Sequence, residues 1–211
     1  MTDPSPAPQS LVVNALRLDD DAAAPPSSPA VARPEFRAVF ESECTYVWHA
    51  LRRLGVRERD LEDVAHDVFV TVHRRLGDYD PSRPLRPWLF GIALRVASDY
   101  RRLARNRLEI VSAMGAGEAD EPADETPDAL ARYEQAEARR MVLEALAVLD
   151  LDKRAVFVMH ELDGHAMPEI AAALSIPLNT AYSRLRLARE QFTVVVRRLR
   201  ARGARPAGGT R

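Results

Sequence analysis

Six side chains, Asn179, Thr180, Ser183, Arg186 and Leu187 with Arg184 at their flank, fall on one side of a segment whose other side is apolar. The apolar side is Leu178, Ala181, Leu185, Ala188, Phe192, Val195 and Leu199. Steps of three and four residues predict a helix with one buried face and one free face. Guanidinium groups fit phosphates and guanine edges, and short hydroxyl and amide groups reach base edges at close range. The chemistry on offer is recognition of a duplex major groove, not bond making. Leu174-Ser-Ile-Pro177 precedes the segment and reads as the short turn of a helix-turn-helix.

A second cluster lies earlier. Arg83, Arg86, Arg95, Arg101, Arg102, Arg105 and Arg107 face a single acid, Asp99, with Tyr79, Trp88, Phe90 and Tyr100 among them. Cations for phosphates and rings for unstacked bases suit a single strand. Trp88 reads as core, whereas Tyr79, in a loop, can meet a base. A third stripe, Asp63, Asp67, Val70 and Arg74, sets a valine among charges on an otherwise polar helix face. It reads either as a protein-docking surface or as a solvated face with one stray valine.

Catalytic readings are poorer. Asp60, Asp63 and Asp67 could bring three carboxylates to a hard metal. Asp60 is better explained as a helix cap, however, and no partner base or glycine-rich phosphate loop accompanies it. His66 and His73 are seven apart, and His160 and His165 five apart, so neither pair has the spacing of a zinc site. No cofactor and no catalytic residue is expected.

The elements that must position these clusters are helices. The 211 residues are 46% apolar but only 6% aromatic, and long β-branched runs are absent. This predicts an all-α fold. No apolar run is long enough for a membrane span, and the start does not read as a signal peptide. The one cysteine, Cys44, cannot form an internal disulfide and sits on an apolar helix face. A buried thiol in a cytoplasmic protein follows.

A net charge of −1 conceals blocks of opposite sign. Residues 1–32 carry −3, 33–107 carry +4, 108–152 carry −9 and 153–211 carry +7. Two basic modules separated by an acidic stretch point to two polyanion-facing lobes joined by a segment that avoids nucleic acid.

In chain order, residues 1–32 hold six of the 15 prolines and read as a disordered leader, in which Ser10–Leu18 is mildly apolar. Glu35–Leu54 is a predicted helix, apolar at Phe36, Val39, Phe40, Val47, Trp48, Leu51 and Leu54 and ended by Gly55. Asp60 opens a second helix as its cap, with Leu61, Val64, Ala65, Val68, Phe69, Val72 and Leu76 inward. After a Gly- and Pro-marked loop, a third helix opens at Pro87 and buries Trp88, Leu89, Ile92, Ala93, Val96 and Leu103. Residues 108–129 form a flexible acidic linker long enough to let the two lobes sit well apart. Ala129–Leu149 is a helix that packs on the helix-turn-helix, and residues 201–211 are a basic tail.

These motifs are similar to a known family. The run from Asp60 to Leu76, Tyr79-Asp-Pro81, Pro87-Trp-Leu-Phe-Gly-Ile-Ala93 and Asp99-Tyr-Arg-Arg102 resembles region 2 of bacterial sigma factors. Lys153-Arg-Ala-Val-Phe157, Glu161-Leu-Asp-Gly164, the stretch Glu169 to Pro177 and Thr180-Ala-Tyr-Ser-Arg-Leu185 resemble region 4. With no room for a region 3 domain, the chain is similar to the extracytoplasmic-function (ECF) class of the sigma-70 family. The resemblance implies region 2 at 33–107 and region 4 at 130–200, both helical.

It also implies an alternative sigma factor that binds core RNA polymerase and directs promoter-specific initiation. The stripe Asp63, Asp67, Val70 and Arg74 would dock on the β′ clamp helices. Tyr79, Arg83, Arg86, Arg95, Arg101 and Arg102 would hold the −10 element. Asn179, Thr180, Tyr182, Ser183, Arg184, Arg186 and Leu187 would read the −35 element, with the far side of that lobe at the β flap. An anti-sigma factor is a further implied partner. Arg95 stands where the family commonly has Asn, Asn179 replaces a common Gly, Tyr182 a common Lys, and Leu187 a common Arg or polar residue. Met167-Pro168 replaces the usual aromatic-acid pair. The promoter sequence therefore cannot be borrowed from relatives. A stand-alone helix-turn-helix regulator is the competing reading, but it leaves the first lobe without a role.

Overall fold

The computed structural model describes residues 34–111 and 129–203, and every regular element among them is helical. Residues 1–33, 112–128 and 204–211 lie outside the described residues; of the stretch 108–129 expected to be linker, 108–111 instead continue a helix and Ala129 opens the next. Seven α-helices follow in order: α1 (Phe36–Leu54), α2 (Leu61–Arg75), α3 (Leu85–Val111), α4 (Ala129–Val148), α5 (Leu151–Phe157), α6 (Met167–Leu174) and α7 (Leu178–Gly203).

The first lobe is α1, α2 and α3, packed on one another. Periodicity explains this, because Val39, Val47, Leu51 and Leu54 of α1 meet Leu61, Val64, Val68 and Val72 of α2 with almost no exposure. Each such burial stabilises by roughly 1.5–3 kcal/mol before chain entropy is set against it. Gly55 ends α1 as expected, at φ 90°, where a side chain would be strained, with its N–H donated back to Arg52.

Other local expectations needed correction. Asp60 precedes α2 but caps nothing: its carboxylate accepts the Tyr100 hydroxyl at 2.6 Å, tying α2 to α3. Leu103, expected inward, is 61% exposed. Phe40 is 43% exposed, while Tyr46, absent from the expected stripe, is buried. Trp88 is half-buried against the Tyr79 ring, with centroids 5.2 Å apart.

In the second lobe α4, α5 and α6 gather around α7. Asp150 caps α5 by accepting the Lys153 N–H at 2.9 Å. α5 continues into a π-helical turn, Val158–Leu162, which brings Asp163 round toward the first lobe. Ser175 takes a left-handed φ of 54° and closes α6, giving the expected break before α7. Val196 of α7 is buried, with Val195 only half-buried beside it.

The two lobes pack directly against each other. Their buried residues form one continuous core, with α3 on α6 and α1 on α4 and α5. At Gly91 of α3 the approach is so close that an added Cβ would stand 2.8 Å from the Ala173 carbonyl oxygen of α6.

Candidate nucleic-acid interface

The residues of α7 expected to face a major groove lie on the side away from the core, although Leu178, expected inward, is 40% exposed. Ala181, Leu185, Ala188 and Phe192 are buried, and this turns Asn179, Tyr182, Ser183 and Arg186 outward. Tyr182 is 53% exposed, a large ring presented to solvent beside Asn179 and Arg186. Thr180 and Leu187 are partly covered. Arg186 ion-pairs along its own helix with Glu190 at 2.7 Å, an exposed contact that holds it weakly. Arg184 is more confined and pairs with Asp152 in the first turn of α5. The structure thus brings together six outward or half-outward groups on one helix, with Arg184 clasped at their edge.

The arginines around α3 divide into two sets. Arg83, Arg95 and Arg102 are exposed. Arg86 instead pairs with Glu43 at 2.9 Å and lies over the Tyr46 ring at 4.9 Å. Arg101 reaches toward the Leu54 carbonyl, the last of α1. Both are half-buried and act as struts within the protein in this conformation. Tyr79 is 6% exposed, and its hydroxyl donates to the Arg83 carbonyl, so its phenol lies above its usual range through burial and the nearby Asp80. Base contact by Tyr79 would require this loop to open. Between the lobes lies a cleft of about 400 Å³, with Arg83, Arg95 and Trp88 on one side and Pro168, Glu169 and Ser175 on the other.

The third stripe is on the surface. Asp63, Asp67 and Arg74 are exposed, and Val70 is half-buried. No cluster of three or more His, Cys, Asp or Glu side chains suited to a metal occurs among the described residues. Nor is any described helix long and apolar enough to cross a membrane.

Sequence spacing missed a polar knot between the lobes. Arg53 of α1 donates to Asp163 at 2.8 Å, and the Tyr46 hydroxyl donates to the other carboxylate oxygen at 3.0 Å. Arg53 and Asp163 are 6% and 3% exposed. Burial, then the Asp163 charge, pushes the Tyr46 phenol well up, so it stays a donor. Nearby, Arg154 of α5 donates to Leu54 O at 3.0 Å and Leu149 O at 3.1 Å. Burial, then the Arg101 charge, pushes its pKa down to about 10, still protonated at neutral pH.

His165 borders this knot. Burial, more than the nearby Arg86 charge, lowers its pKa below 6.5 against the opposing pull of Asp163 and Glu169. A depressed imidazole pKa means that the unfolded chain binds the proton more readily. The stability tied to neutral His165 is thus complete above its unfolded value and is lost as pH falls through the lower folded value. We expect the urea midpoint to drop between pH 7.5 and 5.5, and His165→Gln to flatten that slope. An unchanged slope would remove His165 from the account.

Comparison with known proteins agrees with this geometry. The Sigma-70 region 2 family model matches residues 39–107, and the Sigma-70, region 4 model matches residues 139–192. The chain is 34% identical over 155 residues to the RNA polymerase sigma factor CnrH of Cupriavidus metallidurans, spanning 70% of this chain and 78% of that protein. It is 31% identical over 155 residues to the ECF RNA polymerase sigma factor SigL of Mycobacterium tuberculosis, spanning 72% and 83%. The solved structure of CnrH in complex with the cytosolic domain of CnrY superposes with a TM-score of 0.53 at 28% identity, covering 76% of this chain and 86% of that one. The sigma factor RpoE of Bartonella quintana, solved with the anti-sigma factor NepR, shares the fold at a TM-score of 0.52 and 20% identity, covering 75% and 96%. With both sigma regions matched in order on two packed helical lobes, the chain belongs to the ECF class of the sigma-70 family, the subunits that give RNA polymerase its promoter specificity.

Proposed function

We propose that α7 reads the −35 element as duplex through Asn179, Thr180, Tyr182, Ser183, Arg184, Arg186 and Leu187, and that the arginine face of α3 holds the −10 element as a single strand. The observation that carries this reading is the clean division of α7, buried on one side and polar and exposed on the other. Arg83, Arg95 and Arg102 are exposed and can meet phosphates at once, Arg83 and Arg102 by exchanging their surface ion pairs with Asp80 and Asp99. Tyr79, Arg86 and Arg101 join only after the first lobe rearranges. Domain limits follow the two assignments: region 2 at 33–107, a linker at 108–129 and region 4 at 130–200.

The protein does no chemistry of its own in this reading and works in the cytoplasm with core polymerase. Asp63, Asp67, Val70 and Arg74 dock on the β′ clamp helices, and the second lobe meets the β flap. An anti-sigma factor holds the chain inactive, by analogy with relatives solved with CnrY and NepR. The packed lobes are the resting form in this reading, because Pro168, Glu169 and Ser175 of the second lobe stand across the cleft from Arg83 and Arg95. Separating the lobes frees that face.

Run-off transcription with core polymerase and genomic fragments tests the proposal, and promoter-dependent starts are the expected result. If core enzyme gains no promoter specificity, the reading fails. Asp67→Arg reverses a charge on an exposed helix face, so folding is spared, while affinity for core drops by at least about tenfold. Unchanged core affinity would move the docking surface elsewhere.

A further inference from the structure

The N-terminal ends of α1 and the C-terminal end of α2 enclose an apolar groove that the assignments above leave without an occupant. It has a volume of about 550 Å³ and is lined by Phe36, Phe40, His66, Phe69, Val70, His73 and Arg74. Its floor is aromatic. Phe40 packs edge-on against Phe69 at 4.8 Å, and Phe36 against His73 at 4.9 Å. Phe40 stays 43% exposed, the largest apolar side chain left open on the first lobe. Arg74 is the arginine on its lining and is exposed, whereas the neighbouring Arg75 lines the cleft between the lobes.

From the composition of residues 1–33 we infer that the groove is a docking site for the chain's own leader, through Leu11–Leu18. Leu11, Ala15 and Leu18 recur at i, i+4 and i+7, with Val12 and Leu16 beside them, the spacing of a helix that lays one apolar face into a groove. Ser10 precedes the run as a capping residue. Asp19, Asp20 and Asp21 follow it directly, an acidic triplet to set against Arg74. The chain enters α1 at Phe36, itself part of the groove wall. Residues 22–33 then serve as the tether and can reach about 40 Å when extended, ample for the leader to turn back on the groove beside its own exit. Tethering also supplies a local concentration in the millimolar range, so an interaction too weak for separate molecules is populated within one chain.

Val70 and Arg74 belong to both the groove and the polymerase-docking stripe. A seated leader therefore masks part of that stripe, a consequence that rests on the docking assignment proposed above. Core polymerase and the leader compete, and the leader lowers core affinity by the fraction of time it is seated.

Photo-crosslinking of the full chain, with p-benzoylphenylalanine in place of Phe40, tests the inference. The expected adduct joins position 40 to residues 11–18 of the same molecule. Leu16→Asp, placed in the leader and so outside the packed lobes, should cut its yield at least about tenfold, as it sets a carboxylate against aromatic rings. An adduct between two molecules would assign the groove to a second copy. An adduct away from residues 11–18, or one indifferent to Leu16→Asp, would also overturn the inference. In the protein with Phe40 intact, Leu16→Asp should tighten core binding about fivefold. Loss of the adduct with no change in core affinity would leave leader docking standing and remove the α2 stripe from the polymerase contact.

Discussion

Asp163→Ala should separate the two lobes while leaving each helical. The carboxylate is buried between them and takes hydrogen bonds from both Arg53 and Tyr46 of α1. Removing it takes a buried carboxylate away from the Arg53 guanidinium, and breaking one side of a buried pair costs about 3–5 kcal/mol. That is a large share of the stability of a domain this size. The lobes have a cheaper escape than unfolding, since parting returns Arg53 to water. Small-angle scattering should show a larger radius of gyration, with the far-ultraviolet circular dichroism of the helices retained.

Two further variants identify the cause. Combining Arg53→Met and Asp163→Leu with Tyr46→Phe replaces the three polar groups by apolar ones and should restore packing, because a matched apolar set avoids the desolvation cost and leaves no buried hydroxyl without its acceptor. Gly91→Val leaves the pair intact but drives a side chain against the Ala173 carbonyl, already 2.8 Å from where a Cβ would lie. It should open the lobes by sterics alone. If packed lobes are the resting form, both opened variants raise promoter-dependent transcription at limiting core polymerase. A compact Asp163→Ala protein would show that the knot contributes little to holding the lobes together.

Arg186→Ala is expected to lower promoter-dependent transcription about 5- to 150-fold, the equivalent of 1–3 kcal/mol for a lost base-edge or phosphate contact. Its side chain is exposed and bound only to Glu190 on the same surface, so the variant should fold and bind core polymerase normally. Arg184→Ala should also weaken −35 recognition. It loses the Asp152 contact as well, however, so some of its effect enters through the seating of α7 on α5. Measuring run-off product and core affinity together separates these routes. Equal transcription from Arg186→Ala and the unsubstituted protein would take this arginine out of the promoter contact.

Most of the helical architecture was legible from periodicity. A three-four repeat reports which face of a helix is buried wherever burial is nearly complete, as along α2 and α7. It failed at the margins. Phe40 and Leu103 continue an apolar pattern past the point where a neighbour covers it, and Asp60 had a tertiary partner in Tyr100 that outcompeted its local role as a cap.

The division of labour among the charged residues was set elsewhere. Residue order alone determined an all-α chain, two sigma-type modules in the right sequence, the outward face of α7 and the arginine bias of α3, because each is written in spacing over a few turns. It could not tell Arg83 and Arg95, which are open, from Arg86 and Arg101, which brace the first lobe. Nor could it find Asp163, whose partners Arg53 and Tyr46 lie 110 and 117 residues away. Burial and pairing of a charge depend on what another segment places opposite it. Only the packing of the two lobes supplies that, by excluding water from a site where an unpaired charge would be costly.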